Sequence, residues 1–286
     1  QRGRWGTQRF LAHARDEKCD IAIVETTSQG IEQFRHLGIF YDVCLLTNLY
    51  PEHIESHGSF ENYKNAKKKL FAYLATLPRK NNLNVSKTTI VNDAVKEARE
   101  FLGYPVERRW TIKSAQNILV TGSGVTFELD GVPFSVPLIG EHAVDNAVAA
   151  ATTALAVGVS LEQSARVLTG ITAVPGRMEF INEGQPFKVI VDFAFEPVAM
   201  TKLYDVIKKI PHNRIMHVLG GTGGGRDKAR RPILGKIAAE NAALVIVTNE
   251  DPYDENPREI IDMVAVGAGA GAHIIEDRRA AIEFAL

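Results

Sequence analysis

Short apolar runs alternate with longer stretches of helical periodicity along most of this 286-residue chain. Residues 19–25 and 42–47 are almost wholly apolar, which is typical of parallel strands buried on both faces. Residues 59–77 repeat apolar side chains at helical spacing behind Ser59, a favourable N-cap residue, and predict a helix. Residues 88–92 predict another strand. The alternation favours an α/β fold built on a mostly parallel sheet.

The segment 115–138 differs, because apolar and polar residues alternate there around Asp130-Gly131. That dipeptide favours a two-residue hairpin turn, so the segment predicts a small antiparallel region. Two helices are predicted after it, at about 141–157 and 160–169.

A domain boundary is predicted where Pro175-Gly176 interrupts the pattern, dividing the chain into domains 1–174 and 175–286. The alternation of strands and helices then resumes, which predicts a second, doubly wound, Rossmann-like α/β domain. Its predicted strands lie near 188–193, 214–219, 244–248 and 273–276. Its predicted helices lie near 197–209, 231–241, 257–266 and 278–286.

The charge balance limits the kinds of partner that the protein is expected to bind. With 33 Lys and Arg against 34 Asp and Glu, the net charge is −1, and nothing favours nucleic acid or an anionic membrane surface. Cys19 and Cys44 lie in or beside apolar runs, so we expect small buried side chains in a reducing compartment rather than a disulfide. No apolar run approaches the roughly 20 residues that span a bilayer. These features predict a cytoplasmic, globular protein.

A possible metal site is spread over three elements. Glu25 ends the first predicted strand, His53 follows the second, and Lys67 lies on the next helix, so all three could meet at the carboxyl edge of the sheet. Mg²⁺ prefers oxygen ligands, and carbamylation would turn the lysine into a carboxylate-bearing anion. On spacing alone, a plain solvated helix face is favoured for Lys64, Lys67, Lys68 and Lys69.

Four features of the second half carry charge at predicted loop positions. Residues 219–232 join a strand to a helix through a glycine-rich turn with basic residues, which suits anion binding or merely surface charge. The turn is not a Walker A loop. Asp192 could accept hydrogen bonds from a ribose or cap a helix, and Arg177 could bind phosphate or lie free on the surface. The acidic loop 248–257 could hold a cationic amine or be a capped turn.

Five sequence blocks occur in order along the chain. They are VETTSQGIEQFR (24–35), TNLYPEHIESHG with the adjoining ENYKNAKKKLF (47–71), VPGRMEFI (174–181), VIVDFAFEP (189–197) and GGGRDKARRP (223–232). Taken in this order, the blocks resemble the Mur ligase family, the ATP-dependent amide ligases of peptidoglycan precursor synthesis. They are most similar to the members that add the third residue of the stem peptide.

The resemblance implies three sets of site residues. The catalytic and magnesium-binding set is Glu25, His53 and Lys67, the last as its carbamate. The set that binds the UDP-muramoyl peptide is Thr27, Gln33 and Arg35. The nucleotide-binding set is Asn146, Arg177 and Asp192.

It also implies the reaction. ATP, with Mg²⁺, would activate the terminal carboxylate of UDP-MurNAc-L-Ala-D-Glu as an acyl phosphate, and the amine of an amino acid would displace phosphate. We expect a monomer. The diaminopimelate-adding members carry Asp-Asn-Pro-Arg at the amino-acid site, where this chain has Glu250, Asp251, Pro252 and Tyr253. Glu250 and Asp251 would suit the cationic end of a diamino acid such as lysine or diaminopimelate.

Departures from the family pattern leave alternatives open. The chain contains no Gly-x-x-Gly-Lys-Thr loop, begins at Gln1 and stops at Leu286 inside a helical pattern. We therefore expect a fragment that is inactive alone. Phe195 replaces the family's His, and Ala143 a frequent Asn. A non-catalytic binding or regulatory protein on the same fold is one alternative. Another Mur-type ligase, such as folylpolyglutamate synthetase, is the other.

Overall fold

The computed structural model describes residues 3–50, 54–80, 84–224 and 228–286. The chain divides into two units. The first comprises residues 1–119, 126–136 and 141–170, and the second residues 120–125, 137–140 and 171–286. Among the described residues, every helix is too short or too polar to cross a membrane.

The first unit holds a small parallel sheet, a hairpin sheet and several helices. Its helices are α1 (Arg4–Asp16), α2 (Ser28–Glu32), α3 (Ile54–His57), α4 (Phe60–Thr76), α5 (Ala98–Leu102), α6 (Glu141–Ala156) and α7 (Leu161–Leu168). Its strands are β1 (Val43–Leu46), β2 (Thr88–Val91), β3 (Arg108–Thr111) and β6 (Val132–Val136). It also holds most of β4 (Gln116–Thr121) and β5 (Gly124–Leu129), whose residues 120–121 and 124–125 are counted in the second unit.

Strands β1, β2 and β3 form the parallel sheet in that order. All of β2 is buried, as expected of a central parallel strand. Helix α4 begins after Ser59, whose side chain accepts a hydrogen bond from the Asn62 amide at 3.1 Å. It packs Phe71 and Leu74 against Phe101 of α5. The predicted elements at 42–47, 59–77 and 88–92 are therefore confirmed.

The strand predicted at 19–25 is wrong. Residues 19–27 are irregular, and the side chains of Ile21 and Ile23 are 60% and 94% exposed. Cys19 is exposed, although both cysteines were expected to be buried. Cys44 is buried as expected, and burial raises the pKa of its thiol to about 12. A parallel strand needs a neighbour that pairs its backbone. Within the described residues, β1 pairs with β2 alone, and no strand pairs with residues 19–27.

The predicted hairpin is confirmed. Strands β5 and β6 are joined by Asp130 and Gly131, whose φ angles of 50° and 80° are both positive, as a type I′ turn requires. The two following helices, α6 and α7, also lie where the sequence predicts them. Ser160 and Gln163 begin α7 with a reciprocal capping box.

The second unit is built around a parallel sheet of β9 (Met216–Leu219), β10 (Leu244–Val247) and β11 (His273–Ile274), with β10 in the centre. Its helices are α8 (Pro197–Ile207), α9 (Arg230–Asn241), α10 (Pro257–Ala268) and α11 (Arg278–Ala285). All four helices and all three strands lie close to their predicted positions. Tyr204, Leu234 and Ile261 are buried in its core.

One predicted strand of this unit pairs differently from expectation. The strand at 188–193 exists as β8 (Val189–Val191), but it pairs antiparallel with β7 (Glu179–Ile181). In the described part of the chain, these two strands form a separate hairpin rather than part of the parallel sheet. The hairpin brings the segment before β7 beside the segment after β8.

Candidate functional site

Three of the predicted site residues line one cavity in the first unit. Glu25, Thr27 and Arg35 surround a space of about 130 Å³ together with His36 and Tyr41. His36 is 5% exposed, and burial, then Lys69 and Arg4, lower the pKa of its ring. Burial raises the pKa of the Tyr41 hydroxyl. The cavity therefore has a cation and a carboxylate at its walls, with weakly solvated polar groups beside them.

The short helix α2 places Thr27 and Arg35 together. The Thr27 side chain caps the helix by accepting a hydrogen bond from the Gly30 amide at 3.1 Å. The chain then turns back, with the Arg35 amide donating to the Gly30 carbonyl at 2.9 Å. Gln33 is exposed at the C-cap of α2 and is not among the residues that line the cavity. The role predicted for Gln33 stays a prediction.

Lys67 projects from α4 over an aromatic ring. Its Nζ lies 5.1 Å from the centre of the Tyr63 ring, within range of a cation–π interaction. The His57 ring lies 5.6 Å from the same tyrosine, and its Nε2 is 3.0 Å from the hydroxyl of Ser28 in α2. Lys67 is thus linked through two aromatic side chains to the helix that carries Thr27.

The neighbouring lysines have different surroundings, so the predicted solvated face is only partly correct. Lys64 is buried and paired with Glu100 at 2.9 Å, and hydrogen bonds to Glu100 and Glu61 raise its pKa. Lys68 pairs with Glu100 as well. Lys69 is about half exposed and pairs with Glu32 at 2.8 Å. Lys64 therefore stays an ammonium, a form that cannot become a carbamate.

The magnesium site is not assembled by the described residues. His53 lies outside them, and those that are described contain no group of three or more His, Cys, Asp or Glu side chains that could hold a metal ion. Glu25 offers a carboxylate of the kind that Mg²⁺ prefers, but one carboxylate and an ammonium at Lys67 do not make a donor set. The magnesium ligands predicted from the sequence stay predictions.

In the second unit, the β7–β8 hairpin brings two predicted nucleotide contacts together. The Arg177 guanidinium lies over the Phe193 ring, 4.9 Å from its centre. The Asp192 carboxylate accepts a hydrogen bond from the Met178 amide at 2.7 Å, so it braces the hairpin and does not cap α8, whose N-cap is Glu196. An exposed guanidinium beside a carboxylate suits a phosphate and a ribose. Asn146, in the first unit, is exposed on α6.

An aromatic and cationic row continues from this hairpin. Phe195, the residue that replaces the family's His, packs edge-on against Phe193 with the ring centres 4.9 Å apart. The Arg230 guanidinium lies 5.0 Å from the centre of the Phe195 ring and is paired with Glu196. The sequence does not single out Arg230, because it lies in a run of basic residues whose burial depends on the fold.

The glycine-rich turn packs against the acidic loop. The Gly223 amide donates to the Asp251 carbonyl at 2.8 Å. A Cβ on Gly220 would lie 2.8 Å from the Cβ of Glu250, and one on Gly223 would lie 2.0 Å from the Pro252 carbonyl oxygen. These glycines are thus needed for close packing between loops. Residues 225–227, in the predicted anion loop, are outside the described part of the chain.

Comparison with known protein families defines the class. The profile of the Mur ligase middle domain matches residues 2–154. The profile described as "Mur ligase, glutamate ligase domain" matches residues 176–286. The chain belongs to the Mur ligase family.

Individual relatives show which members of the family this chain resembles. A UDP-N-acetylmuramoyl-L-alanyl-D-glutamate–2,6-diaminopimelate ligase of Geobacillus kaustophilus (strain HTA426) is 33% identical over 294 residues, which cover 98% of this chain and 59% of that protein. A UDP-N-acetylmuramyl-tripeptide synthetase of Roseiflexus sp. (strain RS-1) is 34% identical over 284 residues, which cover 92% of this chain and 55% of that protein. The chain thus spans less than two thirds of the length of either relative.

Solved structures share the fold. Folylpolyglutamate synthase of Mycobacterium tuberculosis, complexed with ADP and AMPPCP, superposes with a TM-score of 0.72 at 18% identity, covering 96% of this chain and 63% of that one. At so low an identity the likeness concerns the fold alone. The predicted α/β class with parallel sheets is confirmed.

Proposed function

We propose that the protein carrying this chain is an ATP-dependent ligase that joins an amino acid to UDP-MurNAc-L-Ala-D-Glu. The observation that carries the proposal is the meeting of Glu25, Thr27 and Arg35 at one cavity. The resemblance assigns Thr27 and Arg35 to the UDP-muramoyl peptide, and Glu25 to the magnesium ion. The names of two relatives, a diaminopimelate ligase and a tripeptide synthetase, support the same reaction.

The chain's own residues would bind and orient the reactants. The planar Arg35 guanidinium can hold a carboxylate through two parallel hydrogen bonds. Thr27 is fixed beside it because its side chain is bonded to the Gly30 amide. Arg177 and Asp192 would hold the phosphates and ribose of ATP from the second unit. ATP supplies the phosphoryl group that activates the substrate carboxylate, and an amine then displaces phosphate.

The acidic loop supports a diamino acid as the third residue. Glu250 and Asp251 place two carboxylates in one loop, next to the glycine turn, where a cationic side-chain end could pair with them. Tyr253 occupies the position at which diaminopimelate-adding members carry an arginine, and its ring is 63% exposed. We propose lysine or diaminopimelate as the amine, with a cytoplasmic location and a monomeric state for the protein.

The decisive assay is amine-dependent phosphate release from ATP in the presence of UDP-MurNAc-L-Ala-D-Glu. It should use the protein expressed from its complete reading frame and a panel of lysine, meso-diaminopimelate, ornithine, alanine and glutamate. We expect release only with the dipeptide substrate and a diamino acid. Strong preference for glutamate would contradict the proposal. Nucleotide binding without turnover of any amine would favour the non-catalytic alternative.

A variant of Lys67 tests whether that lysine takes part in the reaction. Lys67→Ala should lower kcat by at least about a hundredfold, the usual cost of removing a group that stabilises developing charge. Lys68→Ala is the matched control, because it removes a lysine from the same helix that pairs with Glu100 and does not line the cavity. Equal activities of the two variants would remove Lys67 from the catalytic set.

A further inference from the structure

Arg231 is a charged side chain enclosed almost completely by the second unit. It lies in the first turn of α9 and is 1% exposed. Its Nη1 and Nη2 atoms are each 3.0 Å from the carboxylate of Glu255. Nη2 also donates to the carbonyl oxygen of Thr222 at 3.0 Å. One guanidinium therefore binds two separate loops.

The two loops are also in direct contact with each other. The glycine loop, residues 220–224, contains Thr222, and the acidic loop, residues 248–257, contains Glu255. The Gly223 amide donates to the Asp251 carbonyl, and the acidic loop turns back on itself where the Glu255 amide donates to the Pro252 carbonyl at 3.0 Å. Arg231 thus closes a ring of hydrogen bonds that runs through Thr222, Asp251 and Glu255, and the Thr222 hydroxyl donates to the Glu250 carboxylate at 3.5 Å.

Overall stability is a poor explanation for such an arrangement. Burying an ion pair costs desolvation energy that its attraction often only offsets, and apolar residues of similar size are frequently as stable. Moreover, the buried Nε of Arg231 has no hydrogen-bond partner among the described residues. What the guanidinium supplies is direction, because its rigid planar fork sets the geometry of both partners, whereas a lysine ammonium is a point charge on a flexible stem.

We propose that Arg231 is a positioning residue for the amino-acid substrate. By holding the glycine loop and the acidic loop together, it fixes where the carboxylates of Glu250 and Asp251 meet the cationic end of the incoming diamino acid. Arg231 itself does not touch that substrate. The inference rests on the proposed function in one respect only, the identity of the molecule that the acidic loop binds.

The first test concerns the loops and needs no substrate. Hydrogen–deuterium exchange of the 286-residue chain, followed by mass spectrometry, would compare Arg231→Lys with Arg258→Met. The control breaks an exposed pair at the same 3.0 Å distance, between Arg258 and Asp262 on α10. We expect peptides covering the glycine and acidic loops to exchange at least about tenfold faster in Arg231→Lys alone.

The second test concerns binding and uses the protein from its complete reading frame. In Arg231→Lys, the KM for the amino acid should rise roughly ten- to a hundredfold, as expected when binding groups are misplaced. The KM for ATP and for the dipeptide substrate should stay within about twofold. Glu255→Gln, which keeps the shape of the side chain but removes its charge, should shift the same constant in the same direction.

The outcomes separate the two proposals. Unchanged exchange in Arg231→Lys would overturn the role of Arg231, whatever the reaction is. Faster exchange with an unchanged KM for the amino acid, or with all three KM values raised equally, would also overturn it. Failure of the unaltered protein to use any amine would instead overturn the proposed function, and the exchange measurement would still decide whether Arg231 holds the loops.

Discussion

A partly buried histidine and a buried tyrosine form a contact that is sensitive to acid. Tyr204 Oη lies 2.5 Å from His217 Nδ1 in the second unit, and burial lowers the pKa of His217 to about 4 from the usual 6.5. As the pH falls below 6.5, the unfolded chain binds a proton at this position, whereas the folded chain stays neutral until about pH 4. The free energy of unfolding should therefore fall across that window, by on the order of 2 kcal/mol.

Urea unfolding at pH 7.5 and at pH 4.5 measures this effect. The variant His217→Gln removes the titrating group, so its loss of stability between the two pH values should be smaller than that of the unaltered chain. Subtracting one loss from the other cancels the contributions of the remaining titratable groups. Identical losses would show that His217 is protonated equally in the folded and unfolded states.

At the scale of elements, helices α9 and α10 approach so closely that two positions admit only glycine. A Cβ on Gly235 would lie 2.0 Å from the Val264 carbonyl oxygen, and one on Gly267 would lie 1.8 Å from that of Pro232. Gly235→Ala should destabilise the second unit by several kcal/mol, about 2–4, because the two backbones must separate. Thermal unfolding checks this. Gly271→Ala is the matched control, since a Cβ there meets nothing within 4 Å.

The helices and strands also show how much of the fold could be predicted from the sequence. Helix α4 was predictable because its cap and its apolar periodicity are local. The segment 19–25 has an equally clear strand pattern, but pattern does not supply the neighbouring strand that its backbone needs. Arg231 looks like any other residue of a basic run, since only the fold brings Thr222 and Glu255 around it. The order of the sequence blocks predicted the family, which the domain profiles confirm, whereas the roles of the site residues stay predictions.

At the scale of the whole molecule, the boundary predicted between residues 174 and 175 stays a proposal. Residues 172–175 are all exposed, and exposed connecting segments are where proteases cut first. Brief digestion with elastase should therefore give two lasting fragments that meet within or beside 172–175, identified by mass spectrometry. First cuts inside 59–111 or 214–268 would contradict this division of the chain.

The open edge of β1 affects how separate molecules of this chain meet. In the described residues that edge has no strand beside it, and the irregular segment 19–27 exposes Ile21 and Ile23. The unpaired edge of β1 is a template for strand addition from a second molecule. Self-association of the 286-residue chain should thus rise with concentration in light scattering. Ile23→Lys should weaken it, because the change replaces an exposed apolar side chain by a charge that opposes aggregation.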